Sequence, residues 1–289
     1  NEMEEKKMKF GKRLAAVGLA AAMTFALAAC GGDVTPEEAM AYVKGELDSS
    51  YLGQYNEDYL ELMDLTAEEA EEQNYVWNTE AEADIMMEAF EMYPSEETTT
   101  KMVELVKEIY SHSKYEVQSA TKGEDGSYLV TVSIEPIDIL VQYTDNYDLP
   151  TVWSEACAAH GVTAQEQIDA MSDAEYEALE QTYADAIIEG IQGLMPNLGY
   201  EPAQSVVIQL KLEDNVYTMV GTDWQNLDGM IIDYSGQYAG CARLHMEKDA
   251  HWASFFHDAG SQAQSAVLSP ELPPDGPTAR RAGNNRTAP

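Results

Sequence analysis

The sequence predicts an α+β protein in which helices pack on one face of an antiparallel sheet built from two hairpins. Three observations predict this fold: repeated helix-start motifs, two long stripes of apolar residues at helical spacing, and two pairs of segments in which apolar and polar residues alternate. Apolar residues three or four positions apart share one face of a helix, whereas alternation is typical of a half-buried strand. Both periods occur in turn between residues 35 and 240.

Five short motifs mark predicted helix starts. Each has Ser or Thr followed three residues later by Glu or Gln, which is the pattern of a capping box. In that motif the hydroxyl and the later carboxylate or amide bind backbone amides that have no partner at the start of a helix. The motifs begin at Thr35, Thr66, Thr163, Ser172 and Thr222. Apolar stripes at helical spacing extend over residues 102–110 and 179–194.

Two pairs of alternating segments predict the strands, and each pair flanks a short turn-forming run. The first pair is 114–121 and 127–135, and the second is 204–213 and 216–220. Such alternation is typical of an antiparallel sheet with one face buried and the other solvated. We therefore expect Ile208 and Leu210 to face the core and Gln209 to face solvent.

The first 29 residues differ from this domain and predict an export signal. Five basic residues lie between Lys6 and Arg13, and an uncharged apolar run follows from Leu14 to Ala29. That run is shorter than the ~20 apolar residues that a membrane-spanning helix needs. A basic start, a short apolar run and small residues at its end make a targeting signal, which is not expected to be an element of the fold.

The end of this run, Leu27-Ala28-Ala29-Cys30, resembles the lipobox of bacterial lipoproteins. The resemblance implies that a diacylglyceryl group, with acyl chains such as palmitate, is attached to the sulfur of Cys30. It also implies that a signal peptidase cleaves between Ala29 and Cys30 and leaves the protein on the extracytoplasmic face of the cell membrane. Two acyl chains make a stable anchor in the lipid bilayer. The alternative is an ordinary secretory signal whose apolar run ends in a cysteine by coincidence.

Residues 30–240 contain 44 Asp and Glu, six Lys and no Arg, which is a net charge of −38. Binding to nucleic acid depends on Lys and Arg, so this composition excludes nucleic acid as a partner. We expect residues 30–34 to be a lipidated tether and residues 35–240 to be an acidic α+β domain. The two predicted hairpins resemble each other in sequence. This similarity suggests two helix–hairpin halves, 35–136 and 137–240, but coincidence explains it equally well.

Residues 241–289 have a different composition. They hold four of the five Arg, three of the five His and five of the eleven Pro in the chain. This segment has neither the helical nor the strand period, which predicts a disordered tail. The abrupt change in residue usage is also typical of a frame error or a misjoined gene end.

From Asp33 onward the chain resembles the uncharacterised lipoproteins of Gram-positive anaerobes that carry an acidic helix–hairpin domain after a lipobox. This resemblance of composition and pattern implies no known activity.

The sequence contains no recognisable catalytic, cofactor or metal motif. Cys157 and His160 have a metal-like interval but lack the further ligands of a zinc site. Asp145 and Asp148 suit a turn that caps a helix near Pro150 better than a calcium loop. Aromatic residues that could line a sugar-binding face are more typical of core packing at this spacing. They are Tyr51, Tyr55, Tyr59, Trp77, Trp153 and Trp224.

The leading functional hypothesis is therefore a non-enzymatic binding or interaction module held at the membrane through Cys30. Its partner would be an unknown envelope protein or a small ligand, and no cofactor or metal is expected. One alternative is a cell-envelope hydrolase or transferase that uses carboxylates such as Glu135 and Asp138. Another is an accessory solute- or cation-binding protein. Because residues 30–240 contain 44 Asp and Glu, the spacing between any two carboxylates does not distinguish these hypotheses.

Overall fold

Helices and one antiparallel sheet form the protein, as the sequence predicts. The structure is a computed structural model that describes residues 24–26, 34–93, 95–213 and 216–238. Ala29, Cys30 and the predicted tail at 241–289 lie outside the described residues.

The α-helices are α1 (Pro36–Leu52), α2 (Glu57–Met63), α3 (Ala67–Ala70), α4 (Trp77–Ala89), α5 (Glu96–Tyr110), α6 (Ile139–Asn146), α7 (Leu149–Ala159), α8 (Gln165–Asp169), α9 (Asp173–Leu194) and α10 (Gly221–Asp228). A π-helical turn at Glu71–Val76 joins α3 to α4, and a 3-10 turn at Met195–Asn197 follows α9. The strands are β1 (Thr24–Ala26), β2 (Lys114–Lys122), β3 (Tyr128–Glu135), β4 (Gln204–Glu213) and β5 (Val216–Met219).

The two predicted hairpins lie side by side in one sheet of order β1-β5-β4-β3-β2. All neighbouring strands are antiparallel, and β3 joins the hairpins by pairing with β4, so that Val130 lies opposite Ile208. Both of these residues are fully buried on the inner face. On the outer face, Leu129 and Val207 are 44% and 47% exposed. The sheet is therefore covered on one face, which confirms the predicted fold class.

The covering layer comes from helices of both predicted halves of the domain. Helix α1 packs over β2 and β3, while α10 packs against β4. Helix α5 contacts α9, and the ammonium group of Lys101 on α5 lies 2.8 Å from the carboxylate of Asp185 on α9. The predicted stripes line this interior, since Met102, Ile109 and Ile187 are fully buried. One hydrophobic cluster contains residues from both halves.

Three of the five predicted helix starts form complete capping boxes. The hydroxyl groups of Thr35, Thr66 and Ser172 accept hydrogen bonds from backbone amides of α1, α3 and α9, and a Glu three residues later binds back to each cap. Asp148 also caps α7 by accepting a hydrogen bond from the amide of Thr151. The turn at 145–148 therefore acts as the helix cap that the sequence predicts.

The other two predicted starts are wrong in detail. Helix α8 begins one residue later than Thr163 predicts, because Ala164 is the cap and the side-chain oxygen of Gln167 accepts hydrogen bonds from the amides of both Ala164 and Thr163. Thr222 lies inside α10 and does not cap it. There the carboxylate of Asp223 accepts a hydrogen bond of 3.0 Å from the amide of Gln209 on β4. Docking on the strand, not a local capping box, thus sets where α10 begins.

Strand β1 corrects the expectation that residues 1–29 contribute no element to the fold. Thr24–Ala26 pair with β5 at the end of the sheet. The physical reason is that the outer edge of a last strand carries unpaired backbone groups, which an extended segment can bind.

The buried face of β4 makes a testable prediction. Leu210 is fully buried, so Leu210→Ala should lower the free energy of unfolding by roughly 2–5 kcal/mol, the range for buried leucines. Gln209→Ala changes the neighbouring side chain on the opposite face and should cost far less. Urea denaturation of both variants measures this difference. Equal, small losses in the two variants would contradict the assigned orientation of β4.

Candidate functional site

Five side chains from five parts of the chain form what we call the acid–tyrosine cluster: Tyr51, Glu82 and Tyr110, which are buried, and Asp228 and Tyr234, which are half-buried. The Tyr51 hydroxyl donates a hydrogen bond of 2.6 Å to Oδ1 of Asp228. The Tyr234 hydroxyl donates to Oε1 of Glu82, and Tyr110 also binds the Glu82 carboxyl group. The cluster therefore joins α1, α4 and α5 to the end of α10 and the loop after it.

Aromatic packing holds the tyrosines of the cluster in place. The rings of Tyr51 and Tyr110 meet edge to face with centroids 5.1 Å apart. On its other side, Tyr51 stacks on Trp224 of α10 at 6.1 Å with an interplanar angle of 19°. Edge-to-face and offset contacts are the geometries that aromatic rings prefer. The hydroxyl groups thus reach the carboxyl groups from rigid positions.

Burial changes the acid–base chemistry of both carboxyl groups in the cluster. It raises the pKa of Glu82 to about 7, and the nearby charge of Asp228 adds to the effect, whereas hydrogen bonds from Tyr234 and Tyr110 oppose it. Burial also raises the pKa of Asp228, against the hydrogen bond from Tyr51. Removing a carboxylate from water is costly, so the protonated form is favoured inside the protein.

The tyrosines of the cluster remain hydrogen-bond donors. Burial is the largest cause that raises the pKa of Tyr51, Tyr110 and Tyr234, and the neighbouring carboxyl groups raise each pKa further. Ionised tyrosine beside a carboxylate would place two negative charges in an apolar interior. The tyrosines of the cluster therefore stay protonated at neutral pH and donate hydrogen bonds to the carboxyl groups.

A second polar network lies along α1. The hydroxyl of Tyr115 on β2 donates a hydrogen bond of 3.0 Å to Oδ1 of Asp48. The other oxygen of Asp48 lies 2.5 Å from the ammonium group of Lys44, one turn earlier on the helix. Tyr115 also contacts Tyr51 with ring centroids 6.4 Å apart. Asp48 thus connects the sheet to the helix that carries Tyr51.

A third buried acid, Glu46, lies where α1 meets α2 and the π-helical turn. Burial raises the pKa of Glu46 to about 7, and its hydrogen bond with Tyr59 opposes the rise. From the π-helical turn, the amide of Asn74 donates to the Tyr59 hydroxyl at 2.9 Å and to the Ser49 hydroxyl at 2.8 Å. Short π-helical segments are frequent where a side chain must be directed into a site. Here the segment directs Asn74 into the polar network.

The position of Tyr59 requires glycine on the facing helix. A Cβ atom at Gly45 would lie 2.2 Å from Cδ2 of Tyr59, well inside van der Waals contact. The absence of a side chain at Gly45 therefore lets the tyrosine ring pack directly against the backbone of α1. This close approach places the Tyr59 hydroxyl within reach of Glu46 and Asn74.

The aromatic residues selected from the sequence are mostly core residues. Tyr51, Tyr59 and Trp224 are buried, and the first of them belongs to the acid–tyrosine cluster. Trp153 packs edge to face on Tyr183 at 5.3 Å. Trp77 is 44% exposed and does not join this core. The core-packing interpretation is thus confirmed for the buried members.

The other side chains that the sequence singled out occupy separate places. Burial of Cys157 raises the pKa of its thiol, and His160 binds the Thr182 hydroxyl at 2.8 Å. Asp138 binds the amide of Gly199 at 3.0 Å. The exposed carboxylate of Glu135 lies 3.8 Å from the ammonium group of Lys114.

Two further findings concern only the part of the chain that the structure describes. No three His, Cys, Asp or Glu side chains there are grouped closely enough to hold a metal ion. None of the helices there has the length and apolar character needed to cross a membrane.

Comparison with known proteins gives one structural similarity. No protein-family description matches the chain, and no curated protein is similar to it. The chain is similar to the crystal structure of YcdA, a candidate lipoprotein of Bacillus subtilis, with 14% sequence identity and a TM-score of 0.45. The similarity covers 68% of this chain and 56% of YcdA, so the chain spans little more than half the length of that protein.

The acid–tyrosine cluster predicts a specific dependence of stability on pH. The pKa of Glu82 is about 7 in the folded protein, above its ordinary value of 4.5, so the folded state binds more protons than the unfolded state between these values. Stability should therefore fall as pH rises from about 4.5 to about 7. Glu82→Gln keeps an oxygen for the Tyr234 hydroxyl but cannot ionise. This variant should melt higher than the wild-type protein at pH 7.5 and show a weaker dependence on pH.

Glu80→Gln is the matched control, because Glu80 is exposed on the same helix. Thermal melts of the three proteins between pH 5 and pH 8 measure the effect. If Glu82→Gln and Glu80→Gln change the melting profile equally, Glu82 is not a protonated buried acid.

Proposed function

We propose that this protein is a lipid-anchored, extracytoplasmic binding module of the cell envelope. The observation that carries the proposal is the lipobox-like run Leu27-Ala28-Ala29-Cys30, directly before a folded domain that starts with the Thr35 cap of α1. Five residues can span at most about 18 Å. A lipid on Cys30 would consequently hold the domain close to the membrane surface.

The charge of the domain supports binding to another molecule over contact with the bilayer itself. With 44 acids against six Lys between residues 30 and 240, the domain is repelled by anionic lipid surfaces. A short tether and an acidic body would together present the domain to the space outside the membrane. The same charge attracts basic segments of other molecules and steers their approach.

The position of the perturbed acids supports a binding module over an enzyme. Glu82 is buried, Asp228 is half-buried, and both accept hydrogen bonds from tyrosines, which makes them part of the packing between elements. The alternative of an envelope hydrolase or transferase draws on the same observation, because carboxyl groups with raised pKa values are common in active sites.

Replacing Cys30 tests the anchor. Cys30→Ser should abolish incorporation of labelled palmitate and leave the precursor uncleaved or the protein released from membranes. Cys157→Ala is the control, because Cys157 is buried within the fold and should not affect labelling. The measurement is acyl labelling followed by detergent partitioning in cells that express each variant. Retained label in Cys30→Ser would show that the lipid is attached elsewhere, and absence of label from the wild-type protein would show that there is no lipid anchor.

A further inference from the structure

The outer face of the sheet, opposite the helical layer, carries exposed apolar side chains. Leu129 on β3 is 44% exposed, and Val207 on β4 is 47% exposed. The register of the two strands places Thr131 opposite Val207 and Leu129 opposite Gln209, so the two apolar residues are diagonal neighbours. Side chains in this relation are close enough to interact when they are large. Leu129 and Val207 therefore form one apolar patch on the outer face.

The side chains around this patch are uncharged. Residues that lie opposite each other in antiparallel strands point to the same face of the sheet. The registers thus place six small or uncharged polar residues around the patch: Ser119, Thr121, Thr131, Ser133, Ser205 and Gln209. Two lysines and two glutamates lie further out on the same face: Lys114, Glu116, Glu135 and Lys211. We call this surface the neutral face, because these four charges cancel.

The neutral face differs in charge from the domain as a whole. Residues 30–240 have a net charge of −38, which attracts basic partners to the acidic parts of the surface. An uncharged patch gives such a partner nothing to pair with. A second copy of this chain does offer a matching uncharged surface. Contact through two neutral faces would keep the acidic surfaces of the copies apart, and exposed charges separated by more than about 8 Å are largely screened at physiological ionic strength.

The order of side chains along β3 fits a second copy. Leu129 and Ser133 lie two residues on either side of Thr131, which is opposite Val207 on β4. A twofold axis that runs across the strands through Thr131 and Val207 would reverse the strands of the second copy. It would place Leu129 of each copy opposite the small Ser133 of the other, with the two Val207 side chains facing each other. Large side chains would then meet small ones, as close packing of two sheets requires.

The same axis brings opposite charges together. Glu135 lies four residues after Thr131 on β3, and Lys211 lies four residues after Val207 on the antiparallel β4, so they occupy opposite ends of the neutral face. Reversal of the second copy moves its Lys211 to the end that carries Glu135, one strand to the side. Both side chains are exposed. An ion pair at each end of the contact would favour this orientation.

The size of the neutral face sets the strength of the contact. Strands lie about 4.8 Å apart and advance by about 3.3 Å per residue, so the face is roughly 15 Å wide and roughly 26 Å long from Lys211 to Glu135. An area of this size is at the low end for a specific interface, which favours a weak, reversible dimer. Attachment of both copies to one membrane, as proposed above, would raise their effective concentration.

We infer that the neutral face binds a second copy of this chain, with the two sheets face to face and their strands reversed. The inference goes beyond the proposed function, because it assigns a surface and a partner for self-association. Sheets that pack face to face about 10 Å apart are a common arrangement in proteins. The exposed apolar patch supplies the contact that is removed from water, and the neutral surroundings make the contact possible for so acidic a protein.

Sedimentation equilibrium of the lipid-free polypeptide 30–289 at physiological ionic strength tests the inference. The wild-type polypeptide should approach the mass of a dimer as its concentration rises. Val207→Lys places two like charges at the centre of the contact and should weaken dimerisation at least about tenfold. Trp77→Lys is the matched control, because Trp77 is apolar and 44% exposed but lies on α4 in the helical layer. It should leave dimerisation unchanged. Thermal melts of both variants verify that the fold is intact.

Charge exchange tests the orientation of the two copies. Lys211→Glu brings a second carboxylate to Glu135 of the other copy and should weaken dimerisation several-fold. Glu135→Lys should do the same, because it brings two lysines together. The double variant Glu135→Lys, Lys211→Glu restores opposite charges at both ends and should recover the affinity of the wild-type polypeptide.

Three outcomes would overturn the inference. A monomer at millimolar concentration would exclude a second copy and leave a different protein as the occupant of the patch. Equal dimerisation of the wild-type polypeptide and Val207→Lys would place the contact on another surface. Failure of the double variant to recover dimerisation would reject the reversed arrangement. The polypeptide is produced without lipid, so the result of palmitate labelling at Cys30 does not affect any of these measurements.

Discussion

The constraint on which the packing of this protein depends is a pair of acids, Glu82 and Asp228, that burial makes costly to ionise. Glu82 and Asp228 accept hydrogen bonds from tyrosines on α1, α5 and the loop after α10, and so tie these elements to α4 and α10. Burial makes ionisation of either acid costly, and each ionised acid would make the other harder to ionise. Ionisation of this pair should therefore weaken the contact between the helical layer and the loop after α10 that carries Tyr234.

The acid–tyrosine cluster also positions β5, next to the edge of the sheet. Strand β5 leads into α10 within two residues, and α10 ends at Asp228 in the cluster. Trp224, stacked on Tyr51, and Asp223, bound to the amide of Gln209, fix the same helix to the helical layer and to β4. A cluster buried in the core thus holds the strand whose outer edge pairs with Thr24–Ala26.

Much of the fold could be predicted from the sequence, because it depends on local periods and caps. The alternation around Ile208 and the capping box at Thr35 each appear within a few residues. The acid–tyrosine cluster could not be predicted, since Tyr51 and Asp228 are 177 residues apart and among 44 acids nothing local distinguishes the buried ones. The burial of Glu46 could have been predicted from its position, because it lies three residues after the buried Val43 and next to the buried Leu47 on an apolar stripe. Strand β1 was missed because pairing at an edge depends on backbone groups and not on side-chain pattern.

The most direct test of the account is a titration of the Glu82 side-chain carboxyl carbon by NMR, with Glu82→Gln used to assign the signal. The account predicts a midpoint near pH 7, with the signal of the protonated form still present at pH 6, where exposed glutamates are fully ionised. Chemical shifts of the Tyr234 ring should change with the same midpoint, because its hydroxyl binds this carboxyl group. A midpoint near 4.5, with no linked change at Tyr234, would show that Glu82 is an ordinary solvated acid and would contradict the account.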